Sequence, residues 1–347
     1  MAADCLGAVG WPVCPAAQAL LPVATQQALA CSGEEWQRSL LQKLEQLYNE
    51  AQPNGTRTHP LQSAEPKGHR RFDITLPVPS RACNLETYGK GDGAKRLCGL
   101  KRLPADQCTV LSIGSRGDIR FELDLIHRTN CSVEIFDCTV SRCGRRARWP
   151  AEMRTGRVRY HSVCIDAQDR TEDSSLIRTD WKHRGAAGKF AFRTYEAILA
   201  KRQITGVAAM KMDIEGFEYV VLGAMLRTRS AALPAQIAFE LHWQTQMTSL
   251  SWHHRAKTAG EIALLSRALY DAGYRALSRA DNTRCPHCSE FTVVRLFCPP
   301  PLQPLGAASP AAANDAATTA DDDPGWGHAD PGSAEGCSST PGEAPKK

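Results

Sequence analysis

No run of eighteen or more apolar residues occurs anywhere in the 347 residues, so no segment is long and apolar enough to span a bilayer as a helix. There is no second Cys-x-x-Cys to match Cys285-Pro286-His287-Cys288; a single pair is half of a zinc site, with Cys298, His253 and His254 only remote candidates for the remainder. A Gly-x-Gly-x-x-Gly is missing too, because Gly114-Ser115-Arg116-Gly117 has the wrong spacing, and this disfavours a nicotinamide-dependent oxidoreductase. The start lacks a basic segment and is broken by Pro12, Pro15 and Pro22, so the Ala-x-Ala before Cys31 makes only a faint secretory signal. From Pro299 onward there is almost nothing apolar to bury, and Pro, Ala, Gly, Ser, Thr and Asp predict a disordered tail.

What is present begins with charge. The formal net charge is +5, yet the tail holds seven acids against Lys346 and Lys347, which leaves the rest of the chain near +10. That balance favours anionic partners without choosing among them. Seven arginines fall between Ser141 and Arg159, interleaved with Trp149 and Met153. Such a run can bind nucleic acid, but a solvated face is the favoured reading. The fourteen cysteines are scattered through a chain too long to need a disulfide framework, so reduced thiols are expected, although Cys83 and Cys98 could pair in an oxidising lumen. Compartment stays open, with the cytoplasm slightly favoured and the secretory pathway the alternative.

The chain is organised around Val207 to Met225. Small and apolar residues form a strand, Asp213 to Gly216 form a turn, and Phe217, Val220, Val221, Ala224 and Met225 repeat at the spacing of one buried helix face. In an open parallel sheet, ligands bind beyond the carboxyl ends of the strands, which places Asp213 and Glu215 where substrates meet. The plainer alternative is that Asp213 caps the helix while Glu215 and Glu218 complement its dipole.

Other segments fit the same architecture. Thr109 to Ile113 is a strand closed by Gly114-Ser115-Arg116-Gly117-Asp118 and followed by a helix, the first unit of a nucleotide-binding half. Ser132 to Phe136 is a second strand ending at Asp137, the position that holds ribose hydroxyls in Rossmann-like folds. Val158 to Ile165 is a third strand followed by Asp166. A polar stretch from Gln168 to Lys189 is either a lid or a disordered excursion, and a helix at Phe192 to Arg202 leads into the strand of the organising stretch. Gln236 to Trp243 is a fifth strand carrying Glu240 and His242, which would converge on Asp213 if it neighbours the fourth. A helix over Thr258 to Asp271, stopped by Gly273, precedes strands near Tyr274 to Leu277 and Phe291 to Phe297 that would form an antiparallel edge. Ahead of all this, Ser32-Gly33-Glu34-Glu35 reads as a capping box that opens a helix over about 33–51.

Lys211-Met212-Asp213-Ile214-Glu215-Gly216-Phe217-Glu218 resembles the Lys-x-Asp-x-Glu-Gly-x-Glu signature of FkbM-type and related methyltransferase-like domains, which use S-adenosylmethionine. The resemblance implies a Rossmann-like, seven-stranded, mostly parallel α/β sheet with helices on both faces and an antiparallel last strand. It further implies a cofactor site at Gly114, Gly117, Asp118 and Asp137, with Asp166 near the adenine. Similar proteins carry a Cys, an Asp-Gly and a second Cys ahead of the fold, and Asp92-Gly93 and Cys98 correspond. The glycine loop departs from the usual acid-x-Gly-x-Gly, with Ser112 where the acid would stand; the variant Gly-x-x-x-Asp-x-x-Phe-Glu fits through Gly114, Asp118, Phe121 and Glu122.

The expected layout is an N-terminal extension and linker over 1–71, a methyltransferase domain over 72–298 and a disordered tail over 299–347. The expected activity is transfer of a methyl group to a hydroxyl or carboxyl oxygen of a small-molecule or glycan acceptor, because the (Asn/Asp)-Pro-Pro-(Tyr/Phe) motif of amino-methylating relatives is missing. A hydroxyl acceptor needs a base within hydrogen-bond reach, and Asp213 and Glu215 are the candidates, with His242 an alternative. Asp213, Glu240 and His242 could also hold a divalent metal, but a metal-free site is favoured, as are acceptors other than nucleic acid. Ser112 keeps alive a second class, a cofactor-binding protein of the same fold without turnover.

Overall fold

The computed structural model describes residues 5–8, 10–50, 65–79, 83–139, 156–173, 189–228, 232–244 and 256–300. Three N-terminal helices, α1 (Cys5–Ala8), α2 (Pro15–Leu20) and α3 (Val23–Glu50), precede a hairpin of β1 (Leu85–Tyr88) and β2 (Lys95–Cys98). There follow β3 (Thr109–Ile113), α4 (Arg120–Arg128), β4 (Ser132–Phe136), β5 (Val158–His161), β6 (Cys164–Ile165), β7 (Arg170–Asp173) and β8 (Lys189–Arg193). The last third comprises α5 (Tyr195–Arg202), β9 (Ala209–Met212), α6 (Glu218–Arg227), β10 (Gln236–His242), α7 (Ala259–Asp271), β11 (Tyr274–Asp281) and β12 (Cys288–Arg295).

The seven-stranded sheet has the order β11-β12-β10-β9-β3-β4-β5. Strands β5, β4, β3, β9 and β10 run parallel, whereas β12 is antiparallel to both β10 and β11. The expected seven-stranded, mostly parallel sheet with an antiparallel last strand is therefore present. That last strand, however, is inserted between β10 and β11 and leaves β11 at the edge. Strands covered on both faces must be apolar on both faces. In β10, Ile237, Phe239 and Leu241 join one core with Trp36 of α3 and the buried faces of α5, α6 and α7, while Ala238 joins a second core with α2, α4 and the β1–β2 hairpin.

Several boundaries differ from those the spacing predicts. Helix α3 begins at Val23 and runs through Ser32, whose Oγ donates to Leu29 O within the helix (3.2 Å), so Ser32-x-x-Glu35 is no cap. The reciprocal capping box is instead Thr258 with Glu261 at the start of α7. Lys189–Arg193 is a strand paired with β6 and β7, which delays α5 to Tyr195, and the third strand divides into β5 and β6. Most of the arginine-rich stretch and of the lid-like stretch lies outside the described residues, as does nearly all of the tail.

The expectation of reduced thiols is overturned: every cysteine among the described residues is disulfide-bonded. The pairs are Cys5–Cys31, Cys14–Cys298, Cys83–Cys98, Cys108–Cys131, Cys138–Cys164 and Cys285–Cys288. The Cys14–Cys298 bond sits beside backbone bonds from Cys14 N to Leu296 O (2.9 Å) and from Cys298 N to Pro12 O (3.0 Å), so the N-terminal segment is laced to the end of the last strand. No helix among the described residues is long and apolar enough to cross a membrane.

Candidate active site

The carboxyl ends of β3, β4, β9 and β10 open onto a cavity of about 480 Å³. Its walls come from the glycine loop, the end of β4, the turn after β9 and, from the hairpin, Asp92 and Gly93. The loop and the turn touch directly. Gly114 adopts φ +77°, and a Cβ there would stand 2.0 Å from Asp213 O, so only glycine lets the two pass. Lys211, at the centre of the sheet, donates from Nζ to Gly114 O (2.7 Å) and fastens loop to strand from below.

On the loop side Asp137 is already engaged. Its Oδ2 accepts from Arg116 N (2.6 Å) and Ser115 Oγ (3.2 Å), and its Oδ1 accepts from Thr139 N (2.9 Å) and Oγ1 (2.6 Å). It therefore shapes the loop as well as lining the cavity. Asp118 also lines it, with its carboxylate bonded to Arg120 Nε (2.9 Å); that bond holds Asp118 below the usual carboxylate range against the opposing effect of burial. Gly117, at φ +76°, donates from N to Ser115 Oγ (3.2 Å) and shapes the loop without lining the cavity. Ser112 donates to Oε1 of Glu122 of α4, a buried carboxylate that does not line the cavity. Burial raises Glu122, opposed by the charge of Lys211.

The signature turn explains its own acids. Fully buried Glu218 accepts from Ile214 N (Oε1, 2.9 Å) and Gly216 N (Oε2, 2.9 Å), stapling the turn from the first residue of α6. Asp213 is thus released from any capping task and faces the cavity. Glu215 sits at φ +56°, a left-handed conformation rare for a residue with a Cβ, and also faces the cavity.

Around these two lies a dense charge cluster. Buried Lys95 of β2 stands 3.5 Å from Asp213 Oδ2 and 2.6 Å from Glu290 Oε1, while Asn282 Nδ2 donates to Glu240 Oε1 (2.9 Å). His242 is 4% exposed; its Nδ1 lies 3.3 Å from Glu218 Oε1, and its Nε2 lies 3.6 Å from Glu215 Oε2 and 3.7 Å from Glu240 Oε2. Burial would raise Asp213, but Lys95 and Lys211 outweigh it and hold Asp213 below the ordinary value. Burial, then repulsion from Asp213 and the neighbouring glutamates, raises Glu215 despite His242. Burial and Asp213 likewise raise Glu240, and burial lifts Glu290 to about 7 despite Lys95. Burial disfavours a charged His242, yet Glu218 and the other carboxylates prevail and raise it to about 10. Asp213 is thereby a fixed anion, and Glu215 is the stronger proton acceptor.

Of the expected site residues, Gly114, Asp118, Asp137, Asp213 and Glu215 share one cavity. His242 sits behind Glu215 rather than on the wall, with its Nε2 3.6 Å from Glu215 Oε2. Asp166 is turned away, paired with Arg170, although its neighbours Cys164 and Ile165 line the cavity. Arg157 donates to Thr129 O (Nη2, 2.8 Å) and Cys131 O, and Arg159 to Glu134 (3.0 Å), so these two arginines of the basic stretch are tied into the sheet. Cys285-x-x-Cys288 is closed as a disulfide, which withdraws both sulfurs from zinc binding. The spacing missed Lys95, Glu290 and Asn282, which reach the cluster from the β1–β2 hairpin and from the β11–β12 segment.

A parallel sheet of this order, with a glycine loop after its first strand and an acidic turn after its fourth, defines an α/β domain built to hold a ligand at its carboxyl edge. Residues 32–295 match the sequence model described as a methyltransferase domain, and the chain belongs to that family. No curated protein matches it significantly. Among solved structures it is similar to the Methanococcus jannaschii fibrillarin pre-rRNA processing protein (11% identity, 64% of this chain and 88% of that one, TM-score 0.33). It is also similar to a geranyl diphosphate methyltransferase solved with SAM (13% identity, 56% and 81%, TM-score 0.32) and to Aeropyrum pernix fibrillarin solved with natively bound S-adenosyl-L-methionine (10% identity, 63% and 87%, TM-score 0.30).

Proposed function

We propose that this protein is an S-adenosylmethionine-dependent methyltransferase acting on a hydroxyl or carboxyl oxygen of a small-molecule or glycan acceptor. The observation that carries the reading is the cavity between the glycine loop and the signature turn. Its volume of about 480 Å³ falls in the range of small-molecule and cofactor sites. Its lining carries six acids, Asp92, Asp118, Asp137, Asp213, Glu215 and Glu240, against only Arg116 and Lys211. An excess of carboxylates suits a cofactor bearing both an ammonium and a sulfonium, and Ile113, Phe136, Ile165 and Phe192 offer an apolar wall for a base. The residues present therefore fit the group.

S-adenosylmethionine would supply an electrophilic methyl group on sulfonium sulfur. The protein's part is alignment, exclusion of water and removal of one proton. Asp213, kept ionised by Lys95 and Lys211, would orient the acceptor oxygen by accepting its hydrogen bond, and Glu215 would take the proton of a hydroxyl acceptor. Asp137 and Lys211 would hold the loop in the shape that receives the cofactor.

The test is transfer from methyl-labelled S-adenosylmethionine into extract metabolites, read by mass spectrometry. Asp213→Asn is expected to abolish labelling and to keep cofactor affinity within about threefold, because it removes charge from the acceptor side alone. Equal loss of cofactor affinity in Asp213→Asn and Asp137→Ala contradicts the assigned roles. Six disulfides also favour work in an oxidising compartment, in place of the cytoplasm that composition slightly favoured.

A further inference from the structure

We propose that Asp213, Glu215 and His242, with Glu240 beside them, form a divalent-cation site at the acceptor end of the cavity. The ligand atoms of Asp213, Glu215 and His242 all lie within 4.8 Å of one another. From His242 Nε2 the carboxylate oxygens of Glu215 and Glu240 stand at 3.6 and 3.7 Å. These gaps are too long for hydrogen bonds and only a few tenths of an ångström wider than the roughly 3.0–3.5 Å that separates two ligands of one small cation.

The imidazole is the independent sign. His242 is 4% exposed, and its buried Nδ1 has no hydrogen-bond partner among the described residues, although Glu218 Oε1 stands 3.3 Å away. A buried ring nitrogen left without a hydrogen bond calls for an explanation. Here Nε2 is aimed between two carboxylates, while Nδ1 faces Glu218, the outer carboxylate that ligating histidines habitually carry. Glu240 shows the same arrangement, since Asn282 occupies Oε1 and leaves Oε2 towards the ring.

Charge points the same way. Two lysines, Lys95 and Lys211, stand among five carboxylates, those of Asp213, Glu215, Glu218, Glu240 and Glu290, and a divalent ion with a neutral imidazole would remove most of the excess. The donors are hard. The sulfur of Cys288, also within reach of Glu240 and His242, is bonded to Cys285. Carboxylates with one imidazole suit Mn²⁺ or Mg²⁺ better than a thiolate-seeking ion.

Such a cation would leave positions open towards the cavity, and the acceptor class it selects is one with two neighbouring oxygens, a vicinal diol or a hydroxy acid. A hydroxyl bound to the ion becomes more acidic, and its proton can pass to the carboxylate oxygen of Glu215 that faces away from the ion. The choice of acceptor depends on the methyltransferase reading; the cation site does not.

The probe is MnCl₂ added to the full-length, chelator-treated protein, followed by the loss of the free-ion signal in electron paramagnetic resonance. One Mn²⁺ per chain is expected, with binding weakened at least about tenfold in His242→Asn and in Glu215→Gln. Because the Glu215 side chain is 38% exposed, Glu215→Gln should fold even if His242→Asn does not. Absence of binding, or binding unchanged in Glu215→Gln, overturns the proposal. S-adenosylmethionine binding in chelator is measured alongside: heat without Mn²⁺ binding sinks the cation site alone, and Mn²⁺ binding without heat sinks the methyltransferase reading alone.

Discussion

Glu218 shows how one side chain can decide a site that it does not line. Its two oxygens take the Ile214 and Gly216 amides, and its charge faces His242. Glu218→Ala leaves two donors without partners where water enters poorly, a loss of about 2–4 kcal/mol. It should also free the turn that presents Asp213 and Glu215. Denaturant unfolding monitored with methyl transfer checks this, and a variant of wild-type stability with full activity contradicts it. From sequence alone, Asp213 and Glu215 were legible as cavity residues because strand, turn and helix follow one another without a gap. Glu218 was not: a glutamate in the first turn of a helix has the same spacing whether it complements a dipole or ties down a loop. Lys95 was illegible for another reason, since its partners Asp213 and Glu290 come from distant strands.

At the scale of elements, the parallel strands declared themselves because burial on both faces leaves little choice of residue. Helix α3 did not. A Ser-Gly pair normally opens or breaks a helix, yet here it lies inside one, and the cause is tertiary. A Cβ on Gly33 would stand 2.2 Å from Nε of Arg275, which is 1% exposed and packed over the Tyr270 ring at 4.0 Å. Gly33→Ala is therefore expected to destabilise the fold by about 1–3 kcal/mol, although alanine is the better helix former. Thermal unfolding tests it, and a gain in stability would show that Arg275 can move aside. The β12 insertion was likewise invisible, because an antiparallel strand satisfies the same alternation at an edge or one place in from it.

For the whole molecule, the disulfides mark the largest departure from expectation. Cysteine spacing identified Cys83 and Cys98 as able to pair but could not reveal the Cys14–Cys298 bond, whose partners are 284 residues apart. On a chain-entropy basis that bond alone contributes about 6 kcal/mol. Dithiothreitol should lower the melting temperature by at least about 10 °C, and non-reducing peptide mapping should recover the six pairs. An unchanged melting temperature would mean that the cysteines are free in solution.

The central claim is that the cavity between Gly114 and the Ile214 turn receives S-adenosylmethionine. Titration calorimetry of the intact chain with that cofactor tests it most directly. One molecule bound per chain, weakened at least about tenfold in Asp137→Ala through loss of the bond to Arg116 N, is the expected result. No heat from the wild-type protein at high cofactor concentration would contradict it.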